Sequence, residues 1–172
     1  MNTLLLQLAG GDRRSIGRAN EVAAAVLADP AKLDELFAGL THGDPLVRMR
    51  AADALEKVSS RRPALLQKYK SALLGSIADT PQAEVRWHVA QMIPRLILSA
   101  AEREIGFTLL VGYLVDKSSI LKTSALQGIS DLARADAKFR QAADTILRKA
   151  LVSGTPAMKA RARKLSNIKD PR

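Results

Sequence analysis

The sequence predicts an all-α protein, specifically a right-handed α-solenoid of about four to five stacked antiparallel helix pairs. The prediction depends on three observations. One helical pattern recurs every 36 to 38 residues along the chain. Each copy is preceded by another segment with apolar residues at helical spacing. No segment shows the alternation of apolar and polar residues that is typical of a strand.

The recurring pattern is the second helix of each pair. Its clearest copy runs from Asp44 to Leu55, where Val47 is followed by Arg48 and then by small and apolar residues at helical spacing. The later copies begin at Val85, Leu121 and Met158. Because these residues hold the same place in the repeat as Val47, we expect all of them to be buried. The basic residues that follow them form a column, Arg48, Arg86, Lys122 and Lys159.

Start signals place the first helix of each pair. Proline opens two of them, at Pro30 and Pro63, because its fixed φ suits the first turn of a helix. The predicted first helices are Ala31 to Leu40, Pro63 to Ile77, Ile105 to Val115 and Phe139 to Leu151. Within the second helices, Pro94 interrupts the segment from Gln82 to Leu98, and we expect it to bend that helix.

The clearest copy resembles the second-helix signature of HEAT repeats, on the residues Asp44-Pro45-x-Val47-Arg48-x-x-Ala51-Ala52-x-Ala54-Leu55. The resemblance implies an armadillo-like superhelix and a single HEAT-like domain over residues 1–172. That domain comprises a degenerate N-terminal repeat or cap at 1–28, followed by repeats at 29–60, 61–98, 99–134 and 135–170. In this family the basic column resembles a ladder of ion pairs between repeats, for which Asp44, Asp79 and Asp116 are the available partners.

Composition excludes several kinds of chemistry. The chain has no cysteine, so it has no disulfide, no thiolate metal site and no cysteine nucleophile. Its two histidines, His42 and His88, are 46 residues apart and match no metal-ligand spacing. The sequence also lacks a phosphate-binding glycine loop and a nucleophile with a base at a fixed offset. We therefore expect no enzymatic activity, no metal and no cofactor.

Positive charge is concentrated in the C-terminal third. The formal net charge is +10 and the isoelectric point is near 10.3, and residues 117–172 hold thirteen basic and four acidic side chains. This excess raises the expectation of an anionic partner. The N-terminus lacks the basic region of a secretory signal, so we expect no export, and no apolar stretch reaches the roughly 20 residues that cross a bilayer. The sequence predicts a cytoplasmic protein with no membrane partner.

The polar positions of the second helices form the predicted binding surface, since second helices line the concave side of HEAT-like solenoids. Trp87, the only tryptophan, lies one position from this surface, and tryptophan and arginine are enriched in interface hot spots. The alternative is that Trp87 is wedged between repeats as a core residue. The predicted partner-binding residues are Arg50, Trp87, His88, Gln91, Arg95, Gln127, Arg161 and Lys164.

Two functions fit these features. We favour a non-enzymatic scaffold that binds a protein or peptide partner on its concave face, because repeat stacks expose long, shallow surfaces. The alternative is non-specific nucleic-acid binding through the basic C-terminal repeats, although the aromatic residues that stack on bases are scarce there. A small-molecule substrate is not expected.

Overall fold

The computed structural model describes residues 3–12 and 14–166. The fold is all-α: 77% of the described residues are helical, and none of them forms a strand. This confirms the all-α prediction. The chain divides into two compact units, Met1–Ile97 and Leu98–Arg172, so their boundary falls one residue before the end of the predicted repeat 61–98.

In the first unit the second helices of the predicted repeats form one packed layer. Its α-helices are α1 (Thr3–Leu6), α2 (Ala19–Ala28), α3 (Leu33–Ala38), α4 (Pro45–Arg61), α5 (Lys70–Leu73) and α6 (Ala83–Met92). Helix α4 packs against α2 on one side and α6 on the other. Helix α3 and the 3₁₀ turns Pro30–Lys32 and Gly39–Thr41 form the first helix that pairs with α4.

The second unit contains two helix pairs. Its α-helices are α7 (Ala100–Tyr113), α8 (Ser119–Ala135), α9 (Arg140–Ser153) and α10 (Pro156–Ser166). Helix α8 packs against α7, α9 and α10, and α9 also packs against α10. Leu126, Leu147, Ala150, Ala162 and Leu165 form the buried cluster at this end of the unit.

The equivalent apolar positions of the repeats build the core. Val47 in α4 is 1% exposed, and Val85 in α6 and Leu121 in α8 are completely buried, which confirms the expected register for these three. Met158 differs because it is only half-buried. Helix α10 is the last helix that the structure describes, so among the described residues no following helix covers Met158.

Side-chain caps mark where the second helices α4 and α8 begin. Asp44 Oδ1 accepts a hydrogen bond from the Leu46 N–H at 2.8 Å, with Pro45 in the first turn of α4. Ser118 Oγ accepts one from the Leu121 N–H at 3.2 Å in the same way. These bonds satisfy N–H groups that have no partner within the first turn of a helix.

Helix α7 starts earlier than the segment Ile105–Val115 that its apolar run predicts. Ser99 and Glu102 form a capping box, in which Ser99 Oγ accepts from the Glu102 N–H at 3.3 Å and Glu102 Oε2 accepts from the Ser99 N–H at 2.8 Å. The reciprocal bonds favour a helix that begins at Ala100. Val115 lies beyond the end of the helix and is 88% exposed, so it is not part of the core.

Proline ends α6 where the sequence predicted a bend. Helix α6 stops at Met92, and Ile93–Arg95 forms a 3₁₀ turn instead of a continuation to Leu98. Pro94 has no N–H to donate, so the α-helical ladder cannot pass through it. Leu96 then adopts extended backbone, with φ −79° and ψ 149°.

Long-range side-chain hydrogen bonds within each unit join residues about one repeat apart. In the first unit, Arg48 Nε donates to Gln82 Oε1 at 2.7 Å, across 34 residues. In the second unit, the hydroxyl oxygens of Ser119 and Thr155 lie 3.1 Å apart, across 36 residues. The second separation falls within the interval of 36 to 38 residues in the sequence, and the first is two residues shorter than that interval. In each unit, one of these bonds therefore joins a predicted second helix to the residues that begin the next one.

Substituting Val85 with a charged residue tests this register. Val85→Asp places a carboxylate where no water reaches it, so we expect the free energy of unfolding to fall by about 3–5 kcal/mol. Ile97→Asp is the matched control, because Ile97 is 75% exposed and its replacement should cost less than about 1 kcal/mol. Urea denaturation followed by circular dichroism measures both, and an unchanged midpoint for Val85→Asp would show that the register is wrong.

Candidate functional site

A pocket of about 250 Å³ lies in the first unit, between the segment that precedes α2 and helices α4 and α6. We call it the Trp87 pocket; its lining residues are Arg14, Ser15, Ile16, Met49, Arg50, Asp53, Trp87 and His88. Three of the predicted partner-binding residues, Arg50, Trp87 and His88, therefore meet at one place. Gln91 lies one turn beyond Trp87 on α6.

Trp87 is half-buried in the wall of this pocket. Its ring centroid lies 5.8 Å from that of His88, and the two rings are inclined at 61°. The Gln91 side-chain amide donates to the Trp87 carbonyl at 3.2 Å. Trp87 is thus partly buried, as a core residue would be, and it also lines the pocket, as a binding residue would. Its position is intermediate between these two alternatives, which the sequence left open.

His88 is held in its neutral form. Burial lowers the pKa of His88 from 6.5 to about 4, although the nearby Asp53 and Glu56 carboxylates favour the charged ring. Its Nε2 lies 3.9 Å from Asp53 Oδ1, too far for a hydrogen bond. Its buried Nδ1 has no hydrogen-bond partner among the described residues. The imidazole therefore retains unused hydrogen-bonding capacity.

Ser15, Asp53 and His88 all line the pocket, yet they are not arranged as a catalytic triad. Ser15 Oγ accepts a hydrogen bond from the Gly17 N–H at 3.0 Å. The Asp53 carboxylate forms an ion pair with Lys57 and does not reach His88. The arrangement lacks the short contacts through which a base activates a nucleophile and an acid orients the base.

Arg50 is buried, which corrects the expectation that it lies on an exposed binding face. Its side chain is 2% exposed, and its guanidinium donates to four backbone carbonyls of the N-terminal segment. These acceptors are Leu8 at 2.8 Å, Gly10 at 2.6 Å, Asp12 at 3.0 Å and Ser15 at 3.1 Å. The segment folds over the polar face of α4 and covers Arg50. Arg50 therefore holds one wall of the Trp87 pocket in place, and its guanidinium is not available to a partner.

Gly17 shows how closely this segment approaches Arg50. Its φ is +53°, and a Cβ at this position would lie 2.8 Å from Arg50 Cζ. Only glycine adopts such backbone without strain and leaves room for the guanidinium. Gly10 and Gly11 also have positive φ, which allows the chain to turn so that its carbonyls face Arg50.

Arg95 is tied to α4. It donates to the Glu56 carbonyl at 3.0 Å and to Ser59 Oγ at 2.8 Å, and it forms an ion pair with Glu56 Oε1 at 2.6 Å. Its side chain is 30% exposed. A partner at this position would meet a guanidinium that Glu56 already neutralises.

Arg48 links successive repeats, but through different groups from those that the family resemblance implies. Besides Gln82, it donates to the carbonyls of His42 at 2.7 Å and Gly43 at 3.0 Å. The Asp44 carboxylate instead caps α4. The bond from Arg48 to the next predicted repeat is therefore the one to the Gln82 amide, whereas the two carbonyls belong to its own repeat.

In the second unit, two of the predicted partner-binding residues are bonded to each other. Arg161 donates to Gln127 Oε1 at 2.9 Å, across 34 residues, and the Gln127 amide nitrogen donates to Asp131 Oδ1 at 2.9 Å. This pair joins α8 to α10. Lys164 is exposed on α10.

A second pocket, of about 370 Å³, is not predicted by the sequence pattern. It lies in the second unit, and we call it the lysine pocket; it is bounded by Leu114, Val115, Leu126, Ile146 and Met158, with Lys122 and Lys149. The repeat register assigns Lys122 to the scaffold and the run ending at Val115 to the core. The only sequence signal for the pocket is the polar turn that follows Val115 directly, since it places that valine at the end of a helix.

The described residues contain no group of three or more His, Cys, Asp or Glu side chains that could hold a metal ion. Within the same ranges, no helix has both the length and the apolar character needed to cross a membrane. No protein-family model, curated protein or solved structure matches the chain. Function is therefore inferred from the two pockets and the charges around them.

Replacing Arg50 should release the N-terminal segment. Arg50→Met keeps an apolar stem but removes the side-chain donor of four carbonyls, of which, among the described residues, only the Asp12 carbonyl keeps another protein donor, the Ser15 N–H. We therefore expect a loss of about 3–5 kcal/mol in the free energy of unfolding. Arg18→Met changes an exposed arginine and should cost less than about 1 kcal/mol. Urea unfolding of the two variants checks this, and equal stabilities would contradict the structural role of Arg50.

Stability should fall as the pH is lowered from 6.5 to about 4, because of His88. In this window the unfolded chain binds a proton at His88 while the folded chain does not, so acid favours unfolding. The difference between the pKa of His88 in the unfolded chain and its pKa in the folded chain corresponds to about 3 kcal/mol of folding stability. This stability is present above the unfolded-state pKa of 6.5 and is lost as the pH falls towards the folded-state pKa of about 4. His88→Gln cannot titrate and should flatten this dependence in urea unfolding at several pH values. An identical slope in the variant would assign the effect to other groups.

Proposed function

We propose that the chain is a non-enzymatic, HEAT-like scaffold that binds a protein or peptide partner with its second helices. In this proposal the helix pairs stack as a right-handed, armadillo-type α-solenoid. The stacking is supported by the bonds that span one repeat, Arg48 to Gln82 and Ser119 to Thr155. The HEAT-like register is supported by the burial of Val47, Val85 and Leu121. A cytoplasmic location stays a prediction of the sequence.

The observation that carries the binding proposal is the Trp87 pocket. A half-buried tryptophan beside a cavity is the kind of anchor on which interface energy concentrates. Met49 adds a side chain that adapts its shape to an apolar group, and the neutral His88 adds a hydrogen-bonding group. A partner side chain in this pocket would displace water from the indole.

The same pocket is better suited to binding than to catalysis. Its serine hydroxyl accepts a backbone hydrogen bond, and its carboxylate is held by Lys57. Its histidine titrates near pH 4, which makes it a weak base at neutral pH, where general bases with a pKa near the operating pH are most effective.

Nucleic-acid binding through α9 and α10 is the second candidate. Residues 140–166 contain seven basic residues and one acidic residue, and Arg148, Arg163 and Lys164 are exposed. A surface of this kind holds phosphates without sequence preference. It lacks rings for stacking, because residues 140–166 contain no aromatic side chain and Phe139 is buried against Phe107, with ring centroids 4.6 Å apart.

A charge reversal at the rim of the Trp87 pocket tests the proposal. Arg14→Glu and Arg18→Glu change two exposed arginines of one segment, and only Arg14 lines the pocket. The immobilised variants are incubated with a lysate of the source cells, with and without nuclease. We expect at least one protein of the lysate to stay bound to wild type and to Arg18→Glu after nuclease treatment. Arg14→Glu should retain at least about 5-fold less of that protein, which corresponds to a loss of about 1 kcal/mol in binding free energy.

Each other outcome has a defined meaning. Equal retention by Arg14→Glu and Arg18→Glu would contradict binding at the Trp87 pocket. Recovery that nuclease abolishes in every variant would favour the nucleic-acid candidate. Because Trp87 is the only tryptophan, a change in its fluorescence on addition of the purified partner would place the contact at this pocket.

A further inference from the structure

The lysine pocket is lined mainly by apolar side chains, together with two lysines, Ser153 and Thr155. It lies where the C-terminal ends of α7 and α9 meet the first turns of α8 and α10. Its walls come from Leu114, Val115, Leu126, Ile146 and Met158, and its volume is about 370 Å³. A cavity of this size falls within the range of about 300–1,000 Å³ that is common for ligand pockets.

Two lysines supply the only charged groups that line this pocket within the described residues, Lys122 from α8 and Lys149 from α9. Carboxylates elsewhere in the second unit are engaged by other cations: Glu104 pairs with Lys138, Asp136 with Arg103 and Asp131 with Arg134. No such ion pair of Lys122 or Lys149 exists among the described residues. The pocket therefore presents positive charge that this part of the chain does not neutralise.

Apolar surface remains exposed at the mouth of the pocket. Val115 is 88% exposed and Val111, which also lines the pocket, is 36% exposed. Covering these valines with an apolar group would be favourable by about 25 cal/mol for each Å² removed from water. A nucleic-acid backbone offers charge but no aliphatic group, so it would use the lysines and leave the cavity empty.

We propose that the lysine pocket docks a peptide segment of a partner protein in which an aliphatic side chain is flanked by acidic residues. The aliphatic side chain fills the cavity, and the flanking carboxylates pair with Lys122 and Lys149. The proposal rests on the proposed function of the chain as a protein-binding scaffold. It adds a binding site in the second unit and the chemistry of the partner that this site takes.

A random-peptide phage library panned against the full chain tests this directly. The expected result is enrichment of sequences in which Leu, Ile or Val is flanked by Asp or Glu. One enriched sequence is then synthesised with a fluorescein label and titrated with wild type and with four variants, with fluorescence anisotropy as the readout. Thermal midpoints from circular dichroism confirm that each variant is folded.

The variants form two matched pairs on exposed positions, so none of them disturbs the core. Lys149→Glu and Val115→Glu change residues that line the pocket, whereas Arg148→Glu and Val152→Glu make the same changes outside it. We expect the pocket variants to bind the labelled peptide about 10-fold more weakly or worse, and the controls to bind within about 2-fold of wild type.

Three outcomes would overturn the inference. Enriched peptides that bind all four variants as tightly as wild type would show that peptides dock elsewhere on the chain. This result would contradict the inference about the lysine pocket and would leave the proposed scaffold function intact. Equal weakening by Lys149→Glu and Arg148→Glu would show diffuse attraction to a basic surface. A library that yields no binder at all would contradict the scaffold function together with the inference.

Discussion

The structure depends on one constraint, which is that the apolar face of each second helix must be covered by the helices next to it. Helix α4 satisfies this constraint by packing against α2 and α6 at once, and its Val47 is 1% exposed. The helices on both sides of α4 therefore contribute to the burial of its apolar face. The polar side chains that span one repeat, such as Arg48 and Gln82, follow from the same stacking.

The Trp87 pocket is a consequence of how the segment before α2 covers α4. No complete helix pair precedes α2 among the described residues; instead, the glycine-containing segment before it folds over α4. Arg50 fastens that segment through four carbonyls, and the segment then supplies Arg14, Ser15 and Ile16 to the pocket wall. Arg50, which the sequence predicted as a contact for the partner, thus supports the pocket wall from inside the protein. Trp87 and His88 line the same pocket.

Local signals predicted most of the helices, whereas long-range contacts account for the burial of Arg50 and for the pocket that the sequence did not predict. The repeat interval placed Val47, Val85 and Leu121 in the core, where the structure has them. Arg50 was misplaced because its burial depends on carbonyls that lie 35 to 42 residues away, which helical periodicity does not report. The start of α7 was visible as the spacing of Ser99 and Glu102, but the apolar run from Ile105 dominated the prediction. The lysine pocket arises where four helices meet, and no single stretch of sequence encodes it.

The most direct test of the stacking register is an engineered disulfide between residues one repeat apart. The chain has no cysteine, so in the variant Ser119→Cys with Thr155→Cys only the introduced pair can form. Because the native hydroxyl oxygens lie 3.1 Å apart, mild oxidation should close an intramolecular disulfide and leave no titratable thiol. The control variant is Thr123→Cys with Thr155→Cys. Its cysteine on α8 lies one helical turn after Ser119, so both thiols should remain free. Closure of the Thr123 pair in place of the Ser119 pair, or disulfides only between chains, would contradict the stacked-repeat account.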